Sequence, residues 1–237
     1  ICACNPKTKN VCAVFINNFQ SAISNTTIPV INGVINSLII AACTAVLSIY
    51  FSAMTAYAIH VYDFKGKKFI FNFILLIMTI PTQVSALGFF SMCTDWGLRD
   101  TYIPLIVPAI AAPAVFFFMI QYMKSSLPID IIEAARLEGL SEVQIFFKMF
   151  IPVMKSTYGA AMTVTFMNAW NNYLWPTIIL QDSNQITMPM LVANLKSGYS
   201  VDYGMLMLGV LICTLPTAII FLCLQKSFAN GIAGAVK

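Results

Sequence analysis

Apolar residues run along this chain in long stretches, and polar residues gather in the gaps between them. Five windows stand out, roughly residues 33–59, 69–91, 102–123, 156–180 and 204–224, and none holds Asp, Glu, Lys or Arg. A run of about 20 apolar residues matches the length of a helix that crosses the bilayer hydrocarbon. All 13 basic and 9 acidic residues fall in the connections, as expected where a charge in lipid costs several kcal/mol. The pattern predicts an all-α, polytopic membrane protein with five visible transmembrane helices. The first window is rich in small residues (Ala41, Ala42, Ala45, Ser48, Ser52, Ala53, Ala56), which let helices approach closely in lipid.

Composition removes the soluble alternative. Of 237 residues 59% are apolar and 9% charged, against about 25% charged in soluble domains. Orientation follows from the basic residues. Lys7, Lys9, Arg99 and Lys196 lie on one side of an alternating topology, and the other nine lie on the opposite side. Basic residues accumulate in the cytoplasm, so residues 60–68, 124–155 and the C-terminus are expected there. Residues 1–32 become an extracytoplasmic segment preceding a membrane domain at 33–237. A chain that starts outside, on Ile1 rather than Met, calls for an earlier span, so a sixth, N-terminal helix is expected to be missing.

Candidate chemistry is sparse. Cys43, Cys213 and Cys223 lie in spans and read as small apolar residues. Cys2, Cys4, Cys12 and Cys93 fall outside, where either a disulfide or an incidental set fits. No metal site is expected, because the single histidine, His60, belongs to the other face. No phosphate-cradling G-x-x-x-x-G-K-(S/T) loop occurs, and no charged catalytic pair sits in a pocket, so the chain does not read as an enzyme. Nothing in the pattern calls for nucleic acid. Pro81 interrupts the second window, and Pro104, Pro108 and Pro113 the third. They fit bent helices around a moving pathway or simple packing kinks.

The fourth window carries FMNAWNNYLWP. On a continuous helix Asn168, Asn171, Asn172 and Trp175 fall at i, i+3, i+4 and i+7, in one stripe beside Trp170 and Tyr173. Amides flanked by aromatic rings suit a polyhydroxylated ligand in a substrate pathway. The same stripe also suits glue to a neighbouring helix, with Tyr173 and Trp175 in an interfacial belt.

Residues 124–155 are too polar to span and too regular for a loose loop. Asp130, Glu133, Glu138 and Glu142 place four of the nine acids within them. Pro128 opens a helix, Gly139 stops it at a position that accepts positive φ, and Ser141 with Gln144 forms a capping-box pattern. A second helix is expected through Phe146, Phe147, Met149 and Phe150 until Pro152. Amphipathic helices that rest on lipid usually carry Lys and Arg on the polar face. This segment is net acidic in its first half, and an acidic, apolar knob fits a protein partner with a basic rim better.

Here the residues resemble a family. Glu133-Ala134-Ala135, three residues, Gly139, nine residues, then Met149-Phe150-Ile151-Pro152 is similar to the EAA loop of importer-type ABC transporter permeases. Met149 and Ile151 replace the usual Ile and Leu, Glu138 stands where Asp is frequent, and Leu140 replaces a common Ala. Further matches run in order along the chain: Asn36-Ser37-Leu38, Ala56-Tyr57-Ala58, Phe64-Lys65-Gly66-Lys67 and Gly97-Leu98 with Thr101. Trp170-Asn171 with Leu174-Trp175-Pro176, Thr187-Met188-Pro189 and the tail LQKSFANGIAGAVK complete them. They resemble the carbohydrate-uptake branch, on the side of the maltose system's second permease.

The resemblance implies half of a transmembrane pathway for a sugar or oligosaccharide in a bacterial or archaeal plasma membrane. Implied partners are a second permease subunit in a heterodimer, two cytoplasmic ATP-binding subunits and an extracytoplasmic solute-binding protein. ATP and Mg would be held by the ATPase, with no cofactor in this chain. Glu133, Ala134, Ala135, Gly139 and Pro152 would couple to the ATPase, residues 181–203 would meet the binding protein, and the tail would approach the ATPase dimer. The rival class is a secondary transporter or channel for a small polar solute, without ATP coupling. Proton-coupled transporters usually place an acid or His within a span, and these windows hold neither. A passive membrane scaffold would leave the acidic helix pair and the amides unexplained.

Overall fold

The computed structural model describes residues 16, 18–20, 29–196 and 202–235, the last nine by backbone alone. Cys2, Cys4, Cys12, most of the N-terminal segment, loop positions 197–201 and the tail side chains lie outside these residues. Among the described residues every regular element is helical. α1 spans Val30–Val61, α2 Lys67–Ile77 and α3 Ala86–Asp95. A short α4 (Ile103–Ile106) and a 3₁₀ turn lead into α5, Pro113–Ser126. α6 covers Ile129–Leu137. α7 (Glu142–Ile145) continues through a π turn, Phe146–Phe150, into α8, Ile151–Val153. α9 is Lys155–Trp170, α10 Leu174–Ile179, α11 Met188–Lys196 and α12 Tyr203–Ala235.

Among the described residues three stretches are long and apolar enough to cross a membrane: Val30–Val61, Ile103–Ser126 and Tyr203–Lys226. Two of the five expected spans are instead interrupted. The window at 69–91 breaks between α2 and α3, where the Thr79 hydroxyl bonds back to the Leu76 carbonyl and Pro81 follows. The window at 156–180 breaks after Trp170, where the Asn171 amide donates to the Met167 carbonyl at 2.9 Å and caps the helix end. Hydropathy counts apolar residues and does not see these local side-chain bonds, which compete with the helix ladder. In the third window the prolines open segments: Pro104 and Pro113 fall in the first turns of α4 and α5, where the missing N–H costs nothing.

α1 is the central element, packed along α5, α9, α11 and the 3₁₀ turn at Val107–Ile110. Its small residues explain this. Ala41, Ala45, Ser48, Ser52 and Ala56 recur every three or four positions and are buried, forming a flat stripe against which other helices lie close. Apolar residues cluster at both of its ends. Phe166, Trp170, Met188, Leu191 and Leu208 pack around Ala41 and Ala45. Met119, Met123, Ile132, Ala135, Ile145 and Phe150 pack around Ala56 and Tyr57. Cys93, one of the cysteines expected on the outer side, is a buried free thiol beside Ile179 and Leu180.

Candidate functional site

The segment between α5 and α9 folds as a helix, a glycine turn and a second helix. α6 ends in a complete C-terminal lock: the Gly139 N–H donates to the Arg136 carbonyl at 3.0 Å, and the Leu140 N–H to Ala135 at 3.1 Å. That pair of bonds needs a left-handed residue, and Gly139 supplies it with φ +83°. Ser141 then caps α7 with both halves of the capping box formed. The helix expected to stop at Pro152 runs one residue further. Its preceding turn widens instead, the Ile151 N–H reaching the Phe146 carbonyl five residues back. A widened turn accommodates a ring that carries no N–H and crowds the carbonyl four residues earlier.

One face of this segment is anchored and the other is presented. Ile132 and Ala135 are buried in the cluster formed with Met123, Ile145 and Phe150. Glu133, Ala134, Gly139 and Pro152 are exposed. Leu137 is 90% exposed and Val143 66%, which leaves apolar side chains standing beside Glu133. Across the glycine turn Arg136 Nε donates to Glu142 Oε1 at 2.7 Å, and Tyr62 Oη donates to Glu142 Oε2 at 2.7 Å. The Arg136 guanidinium also sits 5.7 Å from the centre of the Tyr62 ring. Hydrogen bonding from Arg136, then from Tyr62, holds the Glu142 carboxyl below the usual Glu range. No local spacing rule announces this brace, because its members are six residues apart across a turn and eighty residues apart in the chain.

The second feature is a cleft of about 650 Å³ between α1, α3, α4, α5, α9 and α10. Asn168, Asn172 and Trp175 line it with Thr44, Ser48, Thr165 and many apolar side chains. Trp175 meets Phe89 edge to face at 5.1 Å, and the Ser48 hydroxyl is buried without a partner. None of the lining residues carries a charge. The expected stripe is therefore divided by the helix end at Trp170. Asn171 is spent on its own helix cap and Tyr173 is exposed away from the cleft lining. Trp170 is buried, and its indole N–H donates to the Cys213 carbonyl of α12 at 2.9 Å. Thr44 and Ser48, missed in the sequence because they sit in a small-residue helix, belong to the cleft.

A third constellation joins distant motifs. Asn36 Nδ2 donates to the carbonyls of Asn184 (2.9 Å) and Ile186 (3.1 Å), and Ser37 Oγ accepts the Met188 N–H at 2.8 Å. Asp100, with φ +54°, accepts the backbone N–H groups of Gln181 and Asp182. These two amides hold its carboxyl below the usual Asp range, Gln181 contributing most.

The family model described as binding-protein-dependent transport system inner membrane component matches residues 46–234. The chain belongs to that family. The permease is 40% identical over 203 residues to the arabinooligosaccharides transport system permease protein AraQ of Bacillus subtilis (strain 168). That match covers 85% of this chain and 72% of AraQ. It is 37% identical to the lactose transport system permease protein LacG of Rhizobium radiobacter, covering 85% of this chain and 74% of LacG. It is 30% identical to the sn-glycerol-3-phosphate transport system permease protein UgpE of Pectobacterium atrosepticum, covering 90% and 76%. The fold matches a chain from the crystal structure of a bacterial ABC transporter involved in the import of the acidic polysaccharide alginate. The TM-score is 0.77 at 19% identity, over 88% of this chain and 78% of that one. These relatives are transport components of ABC importers, not enzymes.

Proposed function

We propose that this permease forms half of the transmembrane pathway of an ABC importer for a neutral sugar or oligosaccharide. Its α6–α7 segment couples the pathway to a cytoplasmic ATPase. The observation that carries the coupling role is the two-faced segment. Ile132 and Ala135 lock it into the membrane domain, while Glu133, Leu137 and Val143 stand exposed. An apolar tip beside an acid fits a groove with a basic rim, and charge-assisted hydrogen bonds are the strong ones at such a contact. The N–H lock at Gly139 keeps the tip in one shape, so little ordering entropy is spent on docking.

The substrate reading rests on the cleft. Asn168 offers its amide to hydroxyls, Asn172 its NH2 while its Oδ1 accepts the Trp175 N–H at 3.4 Å, and Trp175 offers a ring face. The absence of charge among the lining residues favours a neutral carbohydrate over a phosphorylated or acidic one. The broken pairs α2/α3 and α9/α10 read as interrupted spans, since irregular backbone at membrane depth is tolerated where it borders a cavity. In this reading α6–α7 and the C-terminus face the cytoplasm. Residues 181–203 face a solute-binding protein outside, and a second permease subunit completes the pathway.

The test is reconstitution with the copurified ATPase and binding protein in proteoliposomes. Uptake of a neutral oligosaccharide should stop when the ATPase carries an inactivating substitution. Uptake that persists and follows a sodium gradient would establish the secondary-transporter class instead.

A further inference from the structure

The latch at Asn36 and Ser37 and the brace at Tyr62 stand at opposite ends of one helix. Asn36 and Ser37 are buried at 7% and 3% exposure, and together they satisfy the carbonyls of Asn184 and Ile186 and the N–H of Met188. About 39 Å along α1, at 1.5 Å per residue, Tyr62 bonds Glu142, which in turn holds Arg136. His60 Nε2 lies 2.9 Å from the Leu127 carbonyl at the same end. The Tyr57 ring packs on Phe146 and Phe150 at 5.3 and 5.0 Å. Between the two ends α1 contains no proline, whereas α12 carries Pro216 in its interior and the spans at 69–91 and 156–180 are broken by turns.

From this geometry we infer that α1 is a strut. Asn36, Ser37 and Tyr62 are positioning residues that tie the loop at 184–188 rigidly to the α6–α7 segment. This inference rests on the coupling role proposed above. A helix with an unbroken ladder transmits displacement along its axis, because each i→i−4 bond restrains its neighbours. A nucleotide-driven shift of α6–α7 therefore reaches the far loop through the Glu142–Tyr62 bond, α1, and the Asn36 and Ser37 latch.

The experiment uses the complete complex in nanodiscs, with a cysteine introduced by Ser183→Cys in the exposed turn beside the latch. Modification by a bulky maleimide is read on the peptide carrying position 183, without nucleotide and with Mg-ATP plus orthovanadate. The two rates should differ by about fivefold or more, the lower range of ordinary site-to-site coupling. Tyr62→Phe removes one hydroxyl at the far end and should bring the ratio close to one, with the ATPase still copurifying. Asn36→Ala should do the same from the near end. Glu142→Ala, which removes the acceptor of the Tyr62 bond, guards against a misfolded Asn36 variant and should match Tyr62→Phe. A wild-type ratio in Tyr62→Phe or Glu142→Ala overturns the strut while leaving the coupling role intact. A parent complex that shows no nucleotide response overturns both.

Discussion

Gly139 has nothing within 4 Å of where a Cβ would stand, so a Cβ there meets no clash among the described residues. What it meets is the backbone, because φ +83° costs a side-chain-bearing residue about 1–2 kcal/mol. Gly139→Val is expected to loosen the lock on α6, leave the membrane domain folded, and abolish stimulation of ATP hydrolysis by loaded binding protein. Glu133→Ala should act in the same direction more weakly, through loss of one charge-assisted bond of roughly 1.5–3 kcal/mol. ATPase assays on the reconstituted complex check both, and full stimulation in Gly139→Val would remove the coupling role. Glu142 makes a pH prediction. Its folded pKa is depressed below 4.5, so its contribution is present above that value and fades as pH falls through the folded pKa. The side chain is 42% exposed, so the ion pair is worth at most about 1 kcal/mol. Calorimetry should find Glu142→Gln slightly less stable than the parent near neutrality, with the gap closing as pH falls below 4.5.

The α9/α10 break sets the roles of the aromatic and amide residues around it. Trp170 ends α9 and packs into α12, so Trp170→Ala should destabilise the fold by about 3–5 kcal/mol and free the Cys213 carbonyl. Asn168→Leu, facing the cleft, should impair uptake while the complex assembles normally. A thermal-shift measurement beside an uptake assay separates the two, and a large stability loss in Asn168→Leu would make it a packing residue. The periodicity of the sequence gives the helices but not this break. Period counting treats Asn171 as one more position on a stripe, whereas its amide closes the helix on Met167. The Gly139 turn and the Ser141 cap were legible because glycine and capping chemistry are written in adjacent residues. The Arg136–Glu142–Tyr62 brace and the Asn36 latch were not, since the first reaches across a turn and then eighty positions to Tyr62, and the second spans one hundred and fifty.

Charge partition and window length gave the membrane class from composition alone, and the matched family agrees with it. The number of crossings was less legible, because hydropathy does not distinguish a continuous span from two short helices joined by a turn. Sidedness is open to direct measurement: cysteine labelling of intact cells should reach position 183 and miss position 148, and the reverse would invert the topology. The decisive measurement is oligosaccharide uptake into proteoliposomes, recorded together with ATP hydrolysis for the parent and for Gly139→Val. Import that tracks hydrolysis in the parent, with both lost in a Gly139→Val complex that still assembles, is the predicted result. Unchanged import in Gly139→Val, or import in the parent without hydrolysis, would contradict it.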